Sequence, residues 1–130
     1  MHGFAIPITA VYAAVLGILL VAISARISVL RARYQAMFGD GGKDDLLRAI
    51  RAQGNFIEYV PLALLLIGMA EWAGIRPWAA HALAGTLLAS RLIHYWGMAT
   101  RINAGRGIGA TLTWLVLVVS GLIVLYQRLG

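Results

Sequence analysis

Apolar residues run along this chain in four long blocks, Ile6 to Leu30, Leu46 to Trp72, Trp78 to Met98 and Ile108 to Tyr126, divided by short polar stretches that carry glycine or proline. Each block is about 19 residues or longer, and at ~1.5 Å per residue a helix of that length crosses a hydrocarbon core ~30 Å thick. The alternating pattern of a membrane barrel strand is not visible, and a helix satisfies all of its backbone polar groups internally, which lipid demands. The pattern therefore predicts an all-α integral membrane protein, an up-down bundle of four transmembrane helices forming a single domain over residues 1–130. The first block reads as a retained helix: Met1 to Pro7 carry no positive charge, and the apolar run is too long for a cleaved leader.

The connections are equally legible. Gly39-Asp40-Gly41-Gly42 predicts a tight turn after helix 1, and Asp44 or Asp45 is expected to cap helix 2, where a carboxylate meets free amides and the positive end of the helix dipole. Gly74 and Pro77 separate helices 2 and 3, with Trp72 and Trp78 placed as interfacial anchors. Asn103-Ala104-Gly105-Arg106-Gly107 predicts the loop before helix 4.

Composition narrows the surroundings. With 61% hydrophobic and 12% charged residues, there is too little polar surface to cover a water-soluble globule, so membrane lipids are the expected solvent. Arg26, Arg31, Arg33, Lys43, Arg48 and Arg51 flank the first connection and Arg101 and Arg106 the third, whereas only Arg76 and Arg128 fall at the opposite end. Positive residues stay in the cytoplasm, which predicts cytoplasmic first and third loops and both termini on the far side. The net charge of +6 is accounted for by topology and anionic headgroups, with no pattern pointing to nucleic acid. The absence of cysteine excludes disulfides and thiolate metal sites, and His81 and His94 are too widely spaced to share a zinc ion. No metal site is expected, and any thiol chemistry must come from a bound thiol.

Candidate chemistry lies on helix 2. Arg48, Arg51, Asn55 and Glu58 follow at intervals of three, four and three, which places them on one helical face. A charge near the bilayer centre costs at least ~2.5 kcal/mol, so Glu58 must be paired, protonated or hydrated in a cavity. Tyr59 stands beside it, and Pro61 frees the Ile57 carbonyl at the same level. On helix 3, Arg91 and His94 share a face with Tyr95 alongside, and an Arg91–Glu58 pair is the expected match. Polar residues also glue membrane helices together, and Thr86 and Ser90 are assigned to that role. His81 reads as an interfacial residue.

The segment Arg51-Ala52-Gln53-Gly54-Asn55-Phe56-Ile57-Glu58-Tyr59-Val60-Pro61-Leu62 closely resembles the second-helix signature of the MAPEG family, the membrane-associated proteins of eicosanoid and glutathione metabolism. Arg91-Leu92-Ile93-His94-Tyr95 and Gly39-Asp40-Gly41-Gly42 make it similar to the small bacterial branch. The resemblance implies a homotrimer in a bacterial inner membrane, with termini in the periplasm and glutathione held at the cytoplasmic side between subunits. By position it implies that Arg51 and Asn55 grip glutathione carboxylate and amide groups, that Glu58 takes the ammonium, and that Gln53 reaches in from the neighbouring subunit. Arg26, Arg48, Tyr59, Arg91, His94 and Tyr95 would complete the glutathione-binding wall. Arg106 would be the catalytic residue, holding the glutathione sulfur as thiolate for conjugation to a hydrophobic small-molecule substrate or for reduction of a lipid peroxide. At the position of a helix 3 tyrosine used by several relatives stands Met98. Two rivals remain: a non-catalytic relative that binds lipids or protein partners, and a small proton-coupled multidrug exporter, against which the arginines around Glu58 speak.

Overall fold

The computed structural model describes residues 3–130. Four helices follow one another: α1 (Pro7–Tyr34), α2 (Asp44–Trp72), α3 (Pro77–Thr100) and α4 (Asn103–Leu129). Short connections force each helix to run antiparallel to the one before it, which is the up-down arrangement the blocks predict. By length and composition α1, α2 and α4 are each apolar enough to cross a membrane. At 24 residues, α3 is about 36 Å long at ~1.5 Å per residue, also sufficient to span. It is the helix that carries Arg91 and His94, both buried within the bundle.

Helices α2 and α3 form the centre. α2 touches all three others, while α1 and α4 share no contact among the described residues. Leu16 and Ile23 of α1, Phe56, Val60 and Ile67 of α2, Leu87 of α3 and Val116 of α4 make the core. Apolar burial alone does not drive association in lipid, where the tails are as apolar as leucine, so close packing and interhelical hydrogen bonds must do so. The α3–α4 seam meets both needs. A Cβ built on Gly109 would lie 2.5 Å from the His94 Cβ, and one on Gly97 would lie 2.2 Å from the Arg106 backbone nitrogen. Only glycine permits helices this close. Gly105, Gly109, Thr113 and Ser120 are all buried along the same stripe.

Two expectations need correction here. The stretch Asn103–Gly107 is not a loop: α4 starts at Asn103, leaving Arg101, in the left-handed region with φ of 63°, and Ile102 as the whole connection. Gly105 is consumed by the close approach to Gly97 and Trp96 and not by a flexible turn. The N-cap of α2 is Lys43, with no side-chain cap, and Asp44 and Asp45 occupy the first turn, where their charge still meets the positive end of the dipole. Pro61 lies inside α2 without ending it.

At the end of the bundle opposite the basic loops, Glu71 organises the entry of the chain. Its carboxylate accepts hydrogen bonds from the backbone N–H of Ile8 and of Thr9, each at 2.8 Å, and from the Thr9 hydroxyl at 2.6 Å. Glutamate from a different helix thus satisfies the free amides at the α1 N-terminus, which has no cap of its own. Nearby, the Tyr12 hydroxyl lies 3.2 Å from His81 Nδ1, and the Gln127 amide donates to the Ala70 carbonyl.

Candidate functional site

Arg91, expected in the wall of the site, is instead buried behind it, outside the residues that line either cleft, and reaches the site only through Asn55. It is 2% exposed and has no carboxylate partner among the described residues. Its Nη1 donates to Asn55 Oδ1 at 2.6 Å, and its Nη2 donates to Thr113 Oγ1 at 2.7 Å and, more weakly, to the Gly109 carbonyl at 3.4 Å. The Ser90 and Thr113 hydroxyls lie 2.9 Å apart, so one polar chain links α2, α3 and α4. Glycine at 109 exposes the carbonyl and lets α4 come near enough for Thr113 to reach. The expected Arg91–Glu58 pair is not formed. Glu58 accepts no hydrogen bond and makes no ion pair among the described residues, because Asn55, one turn before it on the same face, takes the guanidinium.

Beside this network, α2, α3 and α4 form a cleft of about 340 Å³ lined by Arg51, Asn55, Glu58, His94, Met98 and Arg106, with Ile50, Gly54, Gly107 and Ala110 filling the rest. Arg51 and Glu58 are exposed on the flank of the bundle, whereas His94 is 4% exposed. With Asn55 Oδ1 held by Arg91, the amide NH2 of Asn55 remains as the donor for anything in the cleft. The lining therefore combines two guanidinium groups, one amide donor and one carboxylate. Such a set suits a small zwitterionic molecule with more than one carboxylate, since arginine forks bind carboxylates in bidentate fashion.

The structure does not bring every sequence-predicted residue to this cleft. Arg26, Arg48 and Tyr95 line a second, smaller cleft of about 110 Å³ between α1, α2 and α3, together with Asp45, Ala49, Ala52, Met98, Ala99 and Arg101. Arg48 shares the stripe spacing, but its Nε is bound to Asp44 Oδ2 at 2.9 Å, and Arg101 Nη2 lies 3.0 Å from the same oxygen. Three residues fall about 60° short of a full helical turn, which is enough to put Arg48 on the α1 side of Arg51. Gln53 faces α1 as well and donates to the Ser24 hydroxyl at 2.8 Å. Tyr59 stands edge-on to Trp114, with ring centroids 6.4 Å apart, and is outside the residues lining either cleft. Met98 is the wall shared by both clefts.

At the rim of the second cleft, beyond the apolar part of both helices, the Tyr34 hydroxyl donates to Asp45 Oδ2 at 2.7 Å. That bond holds the Asp45 carboxyl below its ordinary range, with the Arg26 charge adding to the effect, and it pushes the Tyr34 phenol up. Lys43 sits over the Tyr34 ring, 5.3 Å from its centroid. Arg31 closes the loop by donating to the carbonyls of Ala36 and Gly39.

Sequence reasoning missed Glu71 with Thr9, and it missed Thr113. A lone glutamate at a helix end carries no signal of a distant partner, but Gly109 and Thr113 at a spacing of four on an apolar helix do mark a close polar crossing. No group of three or more histidine, aspartate or glutamate side chains arranged for a metal occurs among the described residues.

Comparison with known proteins adds a consistent result. The inner membrane protein YecN of Escherichia coli K12 is 38% identical over 110 residues, covering 85% of this chain and 84% of that protein. YecN of Escherichia coli O6:H1 gives the same figures. The family model for MAPEG matches residues 9–126. That match takes in all four helices, both clefts and the Arg91 network, and this chain belongs to the MAPEG family.

Proposed function

We propose that this chain is a glutathione-dependent transferase of a bacterial inner membrane, working as a homotrimer on hydrophobic electrophiles or lipid peroxides. The observation that carries the reading is the lining of the first cleft, where Arg51, Asn55, Glu58 and Arg106 converge from two helices. Glutathione presents two carboxylates, an ammonium and a thiol, and the cleft answers with two guanidinium groups, an amide donor and a carboxylate. Its volume of about 340 Å³ falls within the ~300–1,000 Å³ of ordinary small-molecule sites. The inner-membrane location of the YecN relatives supports the compartment.

In this reading Arg51 holds a carboxylate, the Asn55 amide donates to a carbonyl or carboxylate oxygen, and Glu58 takes the ammonium. Arg91 keeps Asn55 in its donating orientation. Arg106 supplies positive charge at the sulfur, which favours the thiolate over a thiol whose cysteine-like pKa is ~8.5. Bound glutathione supplies a sulfur nucleophile, and the apolar flank of α4 leaves the cleft open to lipid-dissolved substrates. Arg26 and Arg48, which border the second cleft, are not needed for this assignment.

Glu58 supports assembly with neighbouring subunits, and the family resemblance supplies the number three. An exposed, unpartnered carboxylate within a span is costly against lipid, and cover from a neighbouring subunit together with the ligand's ammonium relieves that cost. Calorimetry of the purified protein with glutathione tests the reading, alongside native mass spectrometry for the trimer. Micromolar to millimolar binding that is lost on Glu58→Gln and Arg51→Ala is the expected result. Absence of binding to the trimer, or a stable monomer, would overturn it.

A further inference from the structure

The polar chain behind the first cleft can run in one direction only. A guanidinium carries donors alone, so each group that Arg91 meets must accept. Asn55 therefore turns Oδ1 to Arg91 Nη1 at 2.6 Å, and Thr113 turns its hydroxyl oxygen to Nη2 at 2.7 Å. The single proton of the Thr113 hydroxyl is left for the Gly109 carbonyl or for Ser90 Oγ, each 2.9 Å away. Ser90 can accept there because its own proton goes to the Leu87 carbonyl at 2.6 Å. Thr113 and Ser90 are fully buried and Arg91 is 2% exposed, so bulk water offers none of these groups a replacement partner.

Asparagine has no preference of its own at this position. Its oxygen and its NH2 are close in size, and a half turn of the amide exchanges a donor for an acceptor at the cleft. Arg91 fixes the choice only while its fork is held, and the second prong of that fork is held by Thr113. The Gly109 carbonyl, at 3.4 Å from the same nitrogen, is too distant to hold it alone. Thr113 lines neither cleft. It stands two turns after Arg106 on the same face of α4, so the helix that carries Arg106 to the first cleft also sets the amide on α2. We propose that Thr113 is a positioning and specificity-determining residue: acting through Arg91, it fixes the Asn55 amide as a donor and makes that end of the cleft select a carboxylate over a group that donates.

The carboxylate preference rests on the glutathione reading given above. The orientation of Asn55 does not, and it is measured without any ligand. Asn55 and Asn103 are the only asparagines in the chain, and Asn103 is exposed at the start of α4. Protein labelled isotopically in its asparagine side chains thus gives one NMR signal from the cleft and one internal reference.

Thr113→Val, similar in size but without the hydroxyl, is expected to move the Asn55 carboxamide resonances and leave those of Asn103 in place. Thr113→Ser should keep the parent spectrum, and Thr113→Cys, a weak acceptor, should fall between. Thermal unfolding verifies that each variant is folded, and the cysteine variant carries the test if the valine variant is not. In calorimetry the parent should favour glutathione over its two monoamides, each with one carboxylate converted to carboxamide, by about tenfold or more. For one of the two monoamides that ratio should fall several-fold in Thr113→Val and recover in Thr113→Ser. A general loosening of the bundle would weaken both ligands alike and leave the ratio where it was. An Asn55 signal indifferent to both Thr113→Val and Thr113→Cys overturns the positioning role, and unchanged ratios overturn the specificity. If the parent binds no glutathione while the Asn55 signal still follows the Thr113 series, the functional reading of the cleft has failed and the positioning role stands.

Discussion

Helix α2 carries two glutamates, and they live in opposite circumstances. Glu71, in its last turn, accepts three hydrogen bonds from the start of α1 and ties the first helix to the second. Glu58, almost four turns earlier, faces the first cleft and accepts none. Both are carboxylates on a helix that spans the membrane, yet one is saturated by the protein and the other is left for a partner that the single chain does not provide. The arginines divide in the same way. Arg91 spends both terminal nitrogens on Asn55, Thr113 and Gly109, leaving only its buried Nε without a partner, while Arg51 and Arg106 line the cleft without a protein acceptor. A saturated charge holds the fold together, and an unsaturated one selects a ligand.

The strongest test of that division is Glu71→Ala. It orphans two backbone N–H groups and a hydroxyl, and with charged hydrogen bonds contributing ~1.5–3 kcal/mol each before partial replacement by water, a loss of about 3 kcal/mol in stability is expected. Thermal unfolding in detergent measures it, and glutathione affinity of the folded fraction should stay at the parent value. Glu58→Gln should do the reverse, keeping the thermal midpoint and losing affinity. If Glu58→Gln destabilises as much as Glu71→Ala, the two glutamates are both structural and the contrast fails.

A second, somewhat smaller effect is expected for Arg51→Ala. Loss of a charge-assisted hydrogen bond in the cleft costs roughly 1.5–3 kcal/mol, about tenfold or more in glutathione affinity by calorimetry. Lys43→Ala removes the same formal charge from the loop and should change little. Equal losses would mean that the field of the basic end, not the cleft lining, attracts the ligand.

Arg106→Ala sharpens the comparison within the cleft itself. Binding should persist through Arg51, Asn55 and Glu58, while the ultraviolet thiolate band of bound glutathione titrates about one unit higher, equivalent to ~1.4 kcal/mol. Arg106→Lys should restore part of the shift, because ammonium keeps the charge but is more strongly hydrated. An unchanged titration would remove Arg106 from the chemistry.

The smallest effect is expected at the rim. Asp45 has a lowered carboxyl pKa because Tyr34 donates to it, so the contact stabilises the fold above the ordinary carboxylate value of about 3.9 and is lost as pH falls through the lowered folded value. Tyr34 has a raised pKa for the same reason, and its share is present below about 10 and lost as pH rises through the raised folded value. In Tyr34→Phe the Asp45 resonance should titrate nearer its ordinary range by NMR, with the unfolding midpoint near neutral pH almost unchanged. A parent-like titration would show that Arg26, and not the hydroxyl, holds the carboxyl down.

Much of this molecule was legible from residue order alone. Four apolar blocks of spanning length leave a chain in lipid few choices, because every backbone polar group must be satisfied within its own helix. The Arg51, Asn55 and Glu58 spacing placed those three side chains on one face, and the same face lines the first cleft. What helical spacing does not carry is the distance and rotation between helices. Gly97, Gly105 and Gly109 pull α4 onto α3 closely enough for Thr113 to reach Arg91, so Arg91 turned to Asn55 and left Glu58 free. The same packing carried Arg48 and Tyr95 round to a separate mouth with Arg26 and Arg101. Residue periodicity determined which side chains share a helix face, since that depends only on the local backbone. Which faces meet, and therefore which charges are satisfied within the chain and which are left open, depended on contacts between residues far apart in sequence and was decided by the tertiary structure.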